Sequence, residues 1–179
     1  MNLELMAMSW LRWQKRCVII VNERTPREYP CGLPDVLGVL QSRYLIEIEV
    51  KRTLSDFKAD ALKPSRRCRD LYPKKFPKQF YYLVLPGMVE KVQPLLPDWA
   101  GLMRGPGDQD VQCVHVVKTA PTNHESQRLS TKECAKLVYK MANQIVSMAH
   151  VCDRQHPWTD CHRWDFHIEF EPTYSNFQI

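Results

Sequence analysis

The chain has 179 residues, 44% of them hydrophobic and 25% charged, with a formal net charge of +5. That length can bury a core without staples, and the mix is that of one globular domain. No apolar run approaches the ~18 residues needed to span a membrane. Seven cysteines, odd in number and without a Cys-x-x-Cys pair, speak against a disulfide framework and for a reducing, cytoplasmic setting.

Taken in chain order, residues 3–14 place Leu3, Met6, Trp10 and Trp13 at helical spacing. This N-terminal stretch carries an early acidic residue and no small-residue cleavage site, so it reads as an amphipathic helix and not as a secretory signal. Residues 17–22 are β-branched and predict a strand. Residues 23–34, with Pro26, Pro30, Gly32 and Pro34, predict a loop. Val36 to Leu40 and Tyr44 to Lys51 predict two further strands, the second the clearest in the chain. Residues 54–72 predict a helix with a break near Pro64. Phe80 to Leu85 predicts an apolar strand ended by Pro86-Gly87, and Met88 to Leu95 a short helix. The Gly- and Pro-rich stretch 97–110 predicts a loop, and Val111 to Lys118 a strand. A helix from Thr131 to about His150 has its start signal written out: Ser130 as cap and Glu133 three residues later, a capping box. Leu137, Val138, Met141, Ile145 and Met148 would form its apolar face. This order predicts an α/β fold in which helices pack on one central mixed sheet. Residues 1–150 would form a single domain, and 151–179 an extension of unassigned role.

The strand Leu45-Ile46-Glu47-Ile48-Glu49-Val50-Lys51 carries the chemistry. Side chains alternate across a strand, so Ile46, Ile48 and Val50 face one side and Glu47, Glu49 and Lys51 the other. Asp35 stands fourteen residues before Glu49, at the start of the preceding strand. If the two strands pair, both carboxylates meet at one point. Two carboxylates can hold a hard cation such as Mg²⁺ or Mn²⁺, which neutralises a phosphate and acidifies bound water. A lysine on the same face can orient or deprotonate the attacking water and offset developing charge. The competing reading is an ordinary solvent-facing strand with cross-strand ion pairs.

Pro34-Asp35 followed by Glu49-Val50-Lys51 resembles the PD-(D/E)XK signature of restriction-endonuclease-like nucleases. The continuation Ser55-Asp56-Phe57 with Asp60, and the strand Phe80-Tyr81-Tyr82-Leu83-Val84-Leu85-Pro86, are similar to the MmcB-like branch, described as DNA-repair nucleases. The resemblance covers roughly residues 10–120. It implies a restriction-endonuclease-like core, metal ligation by Asp35, Glu49 and the Val50 carbonyl, and Lys51 as catalytic lysine. It also implies a further upstream carboxylate, Glu23 or alternatively Glu4. Asp56 reads as a helix-start residue.

Between Lys58 and Lys78, eight basic residues (Lys58, Lys63, Arg66, Arg67, Arg69, Lys74, Lys75, Lys78) stand against Asp60 and Asp70, a concentration that suits nucleic acid. Tyr72 and Phe76 among them read first as packing residues and second as base-stacking ones. The tail carries His150, Cys152, His156, Cys161, His162 and His167 in a spacing that matches no familiar zinc finger. It reads as a loop-rich stretch anchored by Trp158, Trp164 and Phe166, with a structural zinc as the alternative.

The sequence therefore leads to the expectation of a metal-dependent nuclease acting on DNA in repair or in mobile-element or phage DNA processing, as a homodimer or within a larger assembly and without a membrane. The alternatives are a DNA-binding or assembly subunit that does not cut, and an interaction protein with a charged strand.

Overall fold

The computed structural model describes residues 2–23, 32–61, 63, 69–107 and 113–155. The chain divides into a unit over Met1–Ile145 and a second over Val146–Ile179. Within the first, six strands form one sheet in chain order: β1 (Ile19–Asn22), β2 (Val36–Val39), β3 (Leu45–Lys51), β4 (Gln79–Val84), β5 (Gly101–Arg104) and β6 (His115–Lys118). The first three run antiparallel, β3–β4 and β4–β5 are parallel, and β6 returns antiparallel. The parallel step from β3 to β4 needs a long connection. It contains helix α2 (Leu54–Ala61) and the short 3₁₀ turn Pro73–Lys75.

Helices cover both faces of this sheet. On one, α1 (Leu3–Trp13) lays Leu3, Ala7, Trp10 and Leu11 against Ile46, Ile48, Val50, Tyr81 and Leu83. Asn2 caps this helix, its side chain accepting the Leu5 amide at 2.9 Å. The approach of α1 depends on Gly38 in β2. A Cβ built there would lie 2.8 Å from Cys17 Sγ and 3.0 Å from Leu11 Cδ2. Burial under this contact pushes the Cys17 thiol up to about 12.

The opposite face carries two clusters. Phe57 of α2 joins Phe76, Phe80, Tyr82, Val84 and the short helix α3 (Val89–Val92). Leu137 of α4 (Thr131–Gln155) covers Ile19, Val21, Leu37, Val39 and Leu45. The predicted capping box forms: the Ser130 hydroxyl accepts the Glu133 amide at 3.2 Å, and the Glu133 carboxylate accepts the Ser130 amide at 2.7 Å.

Two expectations need correction. Residues 97–110 are not all loop, because Gly101–Arg104 forms β5. Only two apolar residues lie between its glycines, too short a run to announce a strand. The apolar face proposed for α4 is also narrower: Leu137 is buried, whereas Val138 and Ile145 are exposed. Helix α2 ends at Ala61, and the expected break near Pro64 lies outside the described residues, as do the tail's zinc candidates His156, Cys161, His162 and His167. His150 and Cys152 belong to α4, and the zinc alternative rests on side chains outside the description. No described helix is long and apolar enough to cross a membrane.

Candidate functional site

The sheet register lines up the acidic residues. Val36 pairs with Ile48 in an antiparallel ladder, so the next rung outward sets Asp35 against Glu49. Asn22 pairs with Val36, so the same step sets Glu23 beside Asp35. There the Glu23 amide donates to the Asp35 carbonyl at 3.1 Å. Glu23, Asp35 and Glu49 thus occupy one row across three strand ends, and Tyr82 continues it on β4.

Asp35 is anchored: the Val50 amide donates to its Oδ2 at 2.7 Å. Burial raises the Asp35 carboxyl above the usual aspartate range, and the negative charge of Glu49 raises it further, outweighing the Val50 bond and the Lys51 charge. The Asp35 carboxyl therefore feels the Glu49 charge from the neighbouring strand. Glu23 takes a left-handed backbone with φ of 47°, a conformation uncommon outside glycine. Together with Glu4, Asn2, Asn22 and Asp35 it lines a cavity of about 210 Å³. Glu4, on α1, accepts from one Arg52 guanidinium nitrogen on both carboxylate oxygens, at 2.9 and 2.8 Å, an ion pair beside that cavity. A larger cavity of about 360 Å³ lies between α1 and β6 and includes none of these carboxylates.

Lys51 is the most constrained member. It is 3% exposed, and its Nζ lies 2.9 Å from Glu49 Oε2 and 3.0 Å from Asp60 Oδ1. Burial pulls the ammonium down, but the carboxylates of Glu49 and Asp60 outweigh it and hold the group above the ordinary lysine value. Asp60, fully buried on α2, also accepts the Tyr82 hydroxyl at 2.9 Å and pairs with Lys63 at 2.8 Å. A solvent-facing strand is thereby ruled out, since Glu47, Glu49 and Lys51 are all buried.

Asp60 and Tyr82 were not assigned roles from sequence. Asp60 lies nine residues past Lys51 in a helix whose polar positions look ordinary. Only its spacing on the Phe57 face of α2 hinted that it points inward.

The oxygen donors present suit a hard divalent cation. Among the described residues no three His, Cys, Asp or Glu side chains stand close enough to hold an ion unaided. The resemblance drawn from the sequence would assign such an ion to the Asp35 and Glu49 carboxylates and the Val50 carbonyl, with water or substrate oxygen completing its shell.

The basic segment is divided. Lys58 and Lys63 are exposed on and just after α2, near Lys51, although Lys63 is committed to Asp60. Lys78 precedes β4 at the opposite end of the strands, its amide bonded to the Leu45 carbonyl at 2.9 Å. Arg69 sits over the Trp99 ring at 5.8 Å. Lys74 and Lys75 are exposed, while Arg66 and Arg67 lie outside the described residues. Phe76 is a core residue, stacked on Phe80 at 5.8 Å and edge-on to Trp99 at 5.3 Å, so it offers no face to a base. Tyr72 is 52% exposed and does. The Asp56 amide donates to the Thr53 hydroxyl at 3.1 Å at the start of α2, in keeping with a helix-start position.

No protein-family model and no curated protein matches the chain. A solved structure does: a protein of unknown function from Silicibacter pomeroyi, 21% identical, with a TM-score of 0.52, covering 87% of this chain and 90% of that one. At this identity the likeness establishes a shared α/β fold.

Proposed function

We propose that the chain is a divalent-metal-dependent nuclease that hydrolyses DNA phosphodiester bonds, with Asp35, Glu49 and Lys51 as its reactive set. The observation that carries this reading is the buried Lys51 held between Glu49 and Asp60, next to an Asp35 carboxyl whose proton affinity is raised by burial and by the Glu49 charge. Burying such charges is costly, and a cation at the carboxylate row would relieve the repulsion. Perturbed, coupled titratable groups are also the usual mark of a working site. The resemblance of Pro34-Asp35 and Glu49-Val50-Lys51 to the PD-(D/E)XK signature supports the same assignment.

Mg²⁺ or Mn²⁺, held by Asp35, Glu49 and the Val50 carbonyl, would supply charge neutralisation at the phosphate and a more acidic water. Lys51 stays protonated at neutral pH, so its role is donation: it holds the attacking water or a phosphate oxygen and offsets the charge that builds there. The option of Lys51 as a base is set aside on this ground. Glu49 and Asp60 fix the ammonium from two sides and limit its motion. Glu23, across the cavity from Glu4, is the upstream carboxylate best placed to orient a second water.

A non-cleaving DNA-binding or assembly subunit is the second reading. The closed Glu49–Lys51 ion pair favours it, because that contact satisfies both charges without any ligand. Incubation of the protein with single- and double-stranded DNA, with Mg²⁺, Mn²⁺ or EDTA, separates the two. Metal-dependent products that disappear in the Asp35→Asn protein establish the nuclease. DNA binding without cleavage in every metal leaves the subunit reading. A homodimer or larger assembly is part of the proposal and is read from the molar mass in solution.

A further inference from the structure

The end of the sheet opposite Lys51 gathers cations from three separated segments. Tyr44 sits at the start of β3, just after the turn in which the Arg43 amide donates to the Leu40 carbonyl at 2.8 Å. Arg43 takes a left-handed φ of 66°, which turns the chain sharply there. Lys78 Nζ lies 3.8 Å from the centre of the Tyr44 ring, and the Arg128 guanidinium lies 5.3 Å from it. Arg128 also bonds the Tyr44 hydroxyl, which lowers the phenol from its ordinary value.

Backbone hydrogen bonds fix this grouping. The loop at residues 123–129, which carries Arg128, is stitched to the other two segments: Leu129 to Arg43 at 2.9 Å, Gln127 to Lys74 at 2.8 Å, and Asn123 to Lys78 at 2.8 Å. Arg43, Lys74, Lys75 and Arg128 are exposed. Among the described residues, none of these cations nor Lys78 has a carboxylate within ion-pair distance. The nearby Glu133 carboxylate is hydrogen-bonded to Ser130 and also feels the charge of Lys75, without forming an ion pair with it. The aromatic ring therefore holds two like charges side by side without neutralising either.

We infer that Arg43, Lys74, Lys75, Lys78 and Arg128, organised around Tyr44, form a second anion-binding surface that takes the phosphate backbone of single-stranded nucleic acid. Several unneutralised cations on fixed backbone suit successive phosphates better than one isolated anion. Tyr72, half exposed two residues before Lys74, adds an aromatic face on which an unpaired base can stack, which favours a single strand over a lipid surface. The choice of nucleic acid as ligand rests on the nuclease reading, whereas the surface itself does not.

β3 spans about 20 Å from Leu45 to Lys51 at ~3.3 Å per residue. From Leu45 to Glu49, at the acidic row, the same rise gives about 13 Å, which a strand running between the two must bridge.

The test is titration of 5′-labelled single-stranded DNA in EDTA, followed by fluorescence anisotropy at several salt concentrations. Lys78→Gln/Arg128→Gln should lose about tenfold in affinity and flatten the logarithmic salt slope by roughly 1.4, for two phosphate contacts at 0.7 each. Lys74→Gln, whose side chain is exposed, gives a second reading that does not depend on the Tyr44 packing and should cost about threefold. Lys91→Gln, the same charge change on α3, should not move binding. Affinity unchanged in both surface variants, equal loss in Lys91→Gln, or tighter binding to phosphatidylserine vesicles than to DNA would each overturn the inference. EDTA prevents cleavage, so failure of the nuclease assay leaves this result standing, and the reverse also holds.

Discussion

The two ends of β3 treat charge in opposite ways. At the Lys51 end the charges are buried and mutually paired: ammonium between two carboxylates, with Asp60 held further by Tyr82 and Lys63. At the Tyr44 end the cations are exposed or half-buried and form no ion pair among the described residues, placed by an aromatic ring and by backbone bonds. Burial makes each charge at the first end structurally obligatory, because removing one partner strands another away from water. Exposure makes each charge at the second end dispensable for folding and available to a ligand. Stability and binding should therefore separate cleanly between the two ends.

The largest expected effect breaks the buried end. Lys51→Met leaves Glu49 and Asp60 without their shared cation and should cost about 3–5 kcal/mol in urea unfolding. Loss of cleavage in that variant is thus ambiguous by itself. Lys51→Arg, which keeps the charge, must fold near normally for the comparison to be fair. Next is Tyr82→Phe, which deletes the phenol that donates to the buried Asp60 and should cost about 2 kcal/mol by the same measurement.

Asp35 sharpens the comparison through pH. Its carboxyl is raised in the folded protein, by burial first and by Glu49 second. The folded state therefore favours the protonated form. That contribution is full below the ordinary aspartate value and is lost as pH rises through the raised folded value. In EDTA at neutral pH, Asp35→Asn should match or modestly exceed the wild type in thermal stability. Mg²⁺ should raise the melting temperature of the wild type and not of the variant. A variant that gains equally from Mg²⁺ would show that the carboxylate row does not hold the cation, and one that unfolds several degrees earlier in EDTA would show that the Asp35 charge carries no net penalty in the fold. The smallest effect belongs to the exposed end. Tyr44→Phe keeps the ring and loses only the hydroxyl bonded to Arg128, so single-strand affinity should fall no more than about threefold, with folding unchanged.

What could be read in advance followed the range of the interactions. The facing of Ile46, Ile48 and Val50 to one side of β3 and the Ser130–Glu133 box are local, and both appear as expected. The alignment of Asp35 with Glu49 needed only that neighbouring strands pair. The burial of Glu47, Glu49 and Lys51 was not legible. Charged residues at every second position look the same whether water or a helix lies over them, and here the covering elements come from 54 onward and 129 onward. The Tyr44 cluster was half legible. Lys78 stood in an obvious basic run, but Arg128 is an isolated residue in a loop, and Arg43 a turn residue, brought near by contacts across the fold.

Gly38 deserves a last look for what it governs at a distance. Helix α1 can sit where it does only because that position of β2 projects nothing toward Cys17 and Leu11. The same helix carries Glu4 to Arg52 and to the cavity it shares with Asp35. Gly38→Ala would wedge the helix outward and loosen the Glu4 clasp without touching a single ionisable group. The aperture of the acidic cleft is thus gauged from the reverse side of the sheet, by an absent methyl group.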